Sequence, residues 1–236
     1  MYNELIMKKI ISISLSLLSV TAMFSQTDSV FVSTVKFNNS VFDNSHAGSG
    51  FFLSYKGSVY GVTAKHVLFF AKTDGMKTIS FNGQLKSWSF TSRYNSNRDF
   101  RLGKLINENS NEKLEMPPKG DWLIFKTNHN ISKNSVVYSL RETPLKINET
   151  VSFLGIPYKN NKPIKITGRF IGFTKEGNLR LDVPKGTYNG CSGGPVIDGA
   201  GKIVGIVSMG YYNNKTKKMV FEPASTNYFK NTIDNQ

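Results

Sequence analysis

The stretch Tyr188–Asp198, YNGCSGGPVID, decides how the rest of the chain is read. It sets the single cysteine, Cys191, directly beside Ser192 in a glycine-rich turn that runs into an apolar segment. Either side chain is a nucleophile once deprotonated. Glycines on both sides let the backbone adopt conformations closed to other residues, so that N–H groups can converge on a developing negative charge. Which of the two side chains acts depends on what lies upstream and downstream.

GCSGG satisfies G-x-S-x-G, the nucleophile elbow of α/β-hydrolases, whose acid and histidine follow the serine in the chain. No histidine follows Ser192, and the long helical segments that a parallel sheet needs between its strands are absent from the sequence. That reading is excluded.

The opposite order, His then Asp then Ser, is present. His66 sits in YGVTAKHVLFF at the end of an apolar strand, just after Thr63 and Ala64, where an imidazole at a strand terminus can face a cleft. His46 and His129 lie in Asn- and Gly-containing loops without such a lead. Asp121 opens GDWLIFK, a strand pattern that gives a carboxylate the rigid mounting needed to fix an imidazole tautomer and stabilise the imidazolium. Asp99, in NRDFRLGKL, is the rival acid, and its neighbours Arg98 and Arg101 offer it a surface ion pair instead. Asp74, in TDGM, reads as turn chemistry.

Around these residues, short runs rich in Val, Ile, Phe, Tyr and Thr alternate with Gly, Asn, Pro and Lys clusters, the pattern of an all-β sandwich or barrel. Twelve or thirteen such runs, from SVFVSTVKF to KMVFEP, suit two small closed barrels better than one open sheet. STNYFKNTI (Ser225 to Ile233) has a cap-like serine and apolar residues at helical spacing, so a short C-terminal helix is expected. NENSNEKLEMPPKG (Asn107 to Gly120) reads as an exposed loop, and the connection between two lobes is expected near 107–120 or 128–148.

At 236 residues the chain is long enough for one generous domain or two lobes sharing an interface. Lys8 and Lys9 precede the apolar run IISISLSLLSVTAMF and then SQTD, the parts of a secretory signal peptide. Residues 1–25 are read as that signal and 26–236 as the mature domain, exported to the periplasm or secreted. The apolar run is too short for a permanent span, and no cysteine sits near the junction to carry a lipid, so no stable membrane anchor is expected. Because Cys191 is alone, no disulfide can form within the chain, and stability must come from a core. Removing Lys8, Lys9 and Glu4 takes the formal charge from +14 to +13. The cations are spread from Lys36 to Lys230 without aromatic interleaving, so a basic solvated surface is expected rather than a nucleic-acid partner.

Taken together, TAKHV, DWLIFK and GCSGGPV resemble the three catalytic blocks of trypsin-like serine peptidases. The likeness is closest to the bacterial HtrA-like branch, without a PDZ domain, and runs from GSGFFLS (Gly48 to Ser54) through GKIVGIVSMG to MVFEPAST. It implies the chymotrypsin-like double barrel, two six-stranded antiparallel β-barrels. It also implies an endopeptidase acting on proteins or peptides through an acyl-enzyme, with no metal or organic cofactor. Ser192 would be the nucleophile, His66 the general base and then acid, and Asp121 its orienter, with the amides of Gly190 and Ser192 as the oxyanion hole. Cysteine-dependent relatives place their nucleophile immediately before the Gly-Gly pair, a place held here by Ser192. Cys191 instead occupies the position of the aspartate that zymogen relatives pair with a new N-terminus, and a thiol cannot make that pair.

By the same resemblance the substrate pocket is formed by Gly186, at its base, and by Ser208, Met209 and Gly210 along its wall. A base without charge implies a preference for small or medium apolar side chains before the scissile bond. The alternative is a catalytically weak peptidase fold that binds peptides or an anionic surface; esterase chemistry on the same triad is a third.

Overall fold

The computed structural model describes residues 28–94, 98–127, 131, 133–213 and 218–236. The expected signal peptide and His129 lie outside them. Among the described residues fifteen strands and one α-helix are formed.

The first barrel is built from β1 (Phe31–Phe37), β2 (Ser49–Tyr55), β3 (Ser58–Thr63), β5 (Leu85–Thr91), β6 (Asp99–Leu105) and β8 (Leu123–Thr127). They pair in the order β1-β5-β6-β8-β3-β2, and the ring closes where Phe31 meets Gly50 and Val32 meets Ser49. Closure leaves no long unpaired edge. Inside are Phe31, Phe52, Trp88, Phe90, Leu102 and Phe125, all buried. Gly50 is required here: a Cβ would lie 2.3 Å from the Phe90 ring.

The second barrel closes in the order β10-β11-β12-β15-β14-β13. Its strands are β10 (Thr150–Gly155), β11 (Ile164–Phe173), β12 (Leu179–Asp182), β13 (Pro195–Asp198), β14 (Ile203–Asn213) and β15 (Lys218–Ser225). Phe153 and Phe221 stack at 4.7 Å in its core, with Phe170, Val196 and Cys191 buried around them. The protein is therefore an all-β double barrel with a short C-terminal helix, α1 (Asn227–Asp234).

Three expectations change in detail. KTISFN does not form a full strand: only β4 (Thr78–Ile79) is extended, paired with β7 (Asn109–Lys113). Thus Asn107–Gly120 is not simply an exposed loop, and it lies between β6 and β8 of the first barrel rather than between lobes. The chain passes to the second barrel between Thr127 and Thr150, adding β9 (Val137–Ser139) parallel to β2 on the way. Ser225 does not cap the helix, because it still belongs to β15, opposite Gly205, and its carbonyl accepts the Trp122 indole N–H at 2.9 Å. The helix starts after Thr226 and buries Phe229 and Ile233, seating Phe229 against Trp122, Tyr55 and Tyr60 at a third core between the barrels.

Candidate active site

At the end of β3 the backbone tightens into a 3-10 turn, Lys65–Phe69, which carries His66 with little exposure. Asp121 stands at the head of β8, followed by the fully buried Trp122, Leu123, Ile124 and Phe125. Both residues belong to the first barrel, and the turn before β13 of the second barrel brings Ser192 to them.

One chain of hydrogen bonds joins the three. The His66 backbone N–H donates to Asp121 Oδ1 at 2.7 Å, and His66 Nδ1 lies 2.6 Å from Oδ2. His66 Nε2 lies 2.8 Å from Ser192 Oγ. Burial pushes the Asp121 carboxyl up, but the His66 charge and the bonds from His66 and Ser208 outweigh it and hold the group below the usual carboxylate range. An ionised Asp121 accepts only, so His66 Nδ1–H donates to it and Nε2 is the ring nitrogen that faces the Ser192 hydroxyl.

Ser208, expected in the pocket wall, directs its hydroxyl elsewhere: it donates to Asp121 Oδ2 at 2.5 Å. Ser208 shares the inter-barrel side of β14 with Ile206, while Val207 between them faces the second barrel's core.

The serine turn is held internally by Cys191 N–H to the Tyr188 carbonyl and Gly194 N–H to the Cys191 carbonyl, each 2.9 Å, and by Gly193 N–H to the Val207 carbonyl at 2.8 Å. Gly190 and Gly193 have φ of 97° and 85°, a region that side chains with a Cβ strongly disfavour. The Asn189 carbonyl accepts from the Tyr158 N–H at 3.0 Å. In a planar trans peptide this turns the Gly190 N–H the opposite way. Among the described residues neither the Gly190 nor the Ser192 N–H donates a hydrogen bond.

Ser49, a position the sequence reading used only as part of a strand, fastens the two barrels at this turn. Its hydroxyl donates to the Gly190 carbonyl at 2.8 Å and accepts from the Ile156 N–H at 2.9 Å, and its own N–H donates to the Ser192 carbonyl at 2.7 Å. No periodicity or motif marks such a role, because all three partners are backbone atoms of distant segments.

Cys191 faces the other way, fully buried in the second barrel's core, where burial pushes its thiol up to about 12. It fills space against Gly155, where an added Cβ would lie 2.4 Å from its Cβ and 2.6 Å from its Sγ.

Gly186 is exposed and is overlaid by Tyr188, whose ring would be 2.7 Å from an added Cβ. The Tyr188 hydroxyl donates to the Pro184 carbonyl at 2.6 Å, and its ring packs edge-on against Phe153 and Phe221. Phe221 also lies against Gly210, and Met209 is half-buried beside it on β14. Tyr188 and Phe221 thus pack against Gly186 and Gly210, two of the residues expected in the pocket; as single aromatic residues in core-like patterns they carry no distinguishing signal in the sequence.

The other candidates lie apart from this chain of bonds. Asp99 is exposed and accepts from Thr91 Oγ1, while Arg98 pairs with Asp28 and Arg101 donates to the Lys86 carbonyl, so the expected ion pair is not formed. Asp74 is exposed in a turn. His46 packs edge-on against Tyr158, and burial together with the Arg93 charge lowers it to about 4. Among the described residues no three His, Cys, Asp or Glu side chains gather as a metal ion would require.

The family model of the trypsin-like peptidase domain matches residues 48–206, more than half of the chain. No curated protein sequence matches the chain. Among solved structures, the crystal structure of the serine endoprotease from Yersinia pestis superposes with a TM-score of 0.59 at 18% identity, covering 89% of this chain and 63% of that one. At such identity the likeness concerns the fold, and the chain spans under two thirds of that protein's length. The matched span opens at the Gly48–Ser49 strand that grips the serine turn and takes in His66, Asp121 and Ser192, and by it the chain belongs to the trypsin-like peptidase domain family.

Proposed function

We propose that the protein is a serine endopeptidase, exported and acting by a His66-Asp121-Ser192 triad through an acyl-enzyme. The observation that carries this reading is the continuous set of contacts from the buried Asp121 carboxylate through both ring nitrogens of His66 to Ser192 Oγ, at 2.6 Å and 2.8 Å. A structural histidine needs one partner; an imidazole with a carboxylate on one nitrogen and a hydroxyl on the other is arranged for proton transfer.

In this reading Ser192 Oγ attacks the scissile carbonyl carbon while its proton passes to His66 Nε2. The carbonyl oxygen becomes an oxyanion facing the amides of Gly190 and Ser192. As the tetrahedral species collapses, the C–N bond breaks and the leaving amine takes the proton from Nε2. Water, deprotonated by the same nitrogen, then attacks the acyl-enzyme and restores the hydroxyl. The Asp121 carboxylate fixes the tautomer and stabilises the imidazolium without itself taking a proton, and the Ser208 hydroxyl steadies it.

Substrate would lie along β14 by strand pairing at Met209 and Gly210, with its side chain over Gly186. The Tyr188 and Phe221 rings, with no acidic side chain among this set, favour small or medium apolar residues before the scissile bond. Strict cleavage of a peptide library after Lys, Arg or Glu would overturn that preference. Export rests on the signal-like N-terminus, and N-terminal sequencing of protein recovered outside the cytoplasm tests it.

The decisive experiment is covalent labelling by a fluorophosphonate probe: wild type labels, and Ser192→Ala and His66→Ala do not. A protein that fails to label, yet binds peptides or anionic vesicles as well in Ser192→Ala as in wild type, is instead a binding module on a peptidase fold.

A further inference from the structure

We propose that Lys65 is a positioning residue for the His66–Asp121 pair, its buried ammonium clamping the turn that carries Asp121 to the turn that carries His66. The inference rests on the serine peptidase reading for its catalytic meaning, though the clamp is a feature of the chain's own packing.

Lys65 is fully buried, next to His66 in the 3-10 turn. An ammonium withdrawn from water is costly unless every donor is met. Here all three find acceptors: Glu112 Oε1 at 2.5 Å, the Lys119 carbonyl at 2.6 Å and the Tyr228 hydroxyl at 3.3 Å, with the Tyr228 ring 4.6 Å from the nitrogen. These acceptors come from β7, from the segment before β8 and from α1, so one side chain ties three otherwise separate pieces to the histidine turn.

The grip falls where Asp121 needs it. Lys119 is two residues before Asp121. Gly120, at φ 48°, lies so close beneath the Tyr228 ring that an added Cβ would overlap it. On the far side Asn107 donates to the Trp122 carbonyl at 2.7 Å and accepts from the Ile124 N–H at 3.0 Å. Asp121 is therefore bracketed by Lys65 and Tyr228 on one flank and Asn107 on the other. Releasing the first flank frees the carboxylate to drift from the 2.6 Å contact with Nδ1, and displacement on that scale weakens catalysis without touching substrate.

The test uses the full chain with two variants, Lys65→Met, which keeps length but removes the charge, and Glu112→Leu, which removes the counter-charge from the partly exposed ribbon. Fluorophosphonate labelling rate, kcat and KM on a peptide, and the low-field proton NMR signal of the His66 Nδ1–H are measured. Lys65→Met should label and turn over about tenfold more slowly with KM unchanged, and its low-field signal should move or broaden; Glu112→Leu should change in the same direction by less. A folded Lys65→Met with lowered Tm but wild-type kcat and an unmoved signal overturns the proposal. If Lys65→Met does not fold, unchanged labelling and signal in Glu112→Leu overturn it equally. Wild type that does not label Ser192 sinks the peptidase reading alone, since the NMR signal still decides whether Lys65 sets the His66–Asp121 contact.

Discussion

At Cys191 and Ser192 two adjacent nucleophile-bearing residues face opposite media. Ser192 Oγ meets the imidazole, whereas Cys191 Sγ is sealed in the second barrel with its thiol pushed up to about 12. A thiolate is the reactive form, so native protein should resist thiol reagents until it unfolds. Cys191→Ala should keep fluorophosphonate labelling while losing about 1 kcal/mol of stability for the small void left behind. Rapid modification of the folded protein by a thiol-specific disulfide reagent would contradict this assignment. Asp121 carries a pH signature of known sign. Its carboxyl is held below its ordinary range when folded, against about 3.9 in an unfolded chain, so its contribution to stability is complete above pH ~4 and is lost as pH falls through the lower folded value. Thermal unfolding of wild type and Asp121→Asn should therefore differ most above pH ~4, with the gap narrowing below it, while labelling of Asp121→Asn falls by up to about four orders of magnitude because the wrong tautomer is held. A gap that widens on acidification would show that the Asp121 carboxylate is not stabilised by folding.

Among the elements, those with an apolar run or a clean apolar alternation were legible from sequence and the polar ones were not. IKITGRFIGF forms β11 with the boundaries its pattern suggests because its exposure alternates residue by residue, whereas SGFFLSY and LKSWSFT form β2 and β5 around continuous buried runs, Ser49–Leu53 and Trp88–Phe90. The NSNEK strand, β7, has no buried apolar face to announce it, and what holds it is a two-residue partner and the Glu112 contact to Lys65. Gly155, the last residue of β10, is a sharper case, lying where any Cβ would meet the backbone and side chain of Cys191 at 2.4 Å to 2.8 Å. Gly155→Ala should push the serine turn out of place, cutting the labelling rate at least tenfold and destabilising the protein by about 1–3 kcal/mol through overpacking. Wild-type labelling in that variant would mean that β10 yields instead of the turn.

On the scale of the whole molecule, the candidate site exists only where two closed barrels meet, the first supplying His66 and Asp121 and the second Ser192. The order of the three motifs reveals that such a meeting occurs; it contains nothing about what keeps the barrels in register. Ser49 supplies part of that information. Its hydroxyl joins the Gly190 carbonyl and the Ile156 N–H of the second barrel, and both are backbone groups that carry no sequence identity. A buried donor and acceptor left without partners cost more than the bonds themselves were worth in water. Ser49→Ala should therefore destabilise the protein by about 2–4 kcal/mol. Because the Gly190 peptide loses its anchor, the folded variant should also label more slowly than the stability loss alone accounts for. Ser49→Thr, which restores the hydroxyl, should recover labelling if the added methyl is accommodated, and Ser49→Gly should not. Measured well below each variant's Tm, a labelling rate for Ser49→Ala equal to wild type would show that the serine turn holds its shape without the first barrel. The contact at Ser49 would then stabilise the interface between the barrels and leave the Gly190 amide as it is.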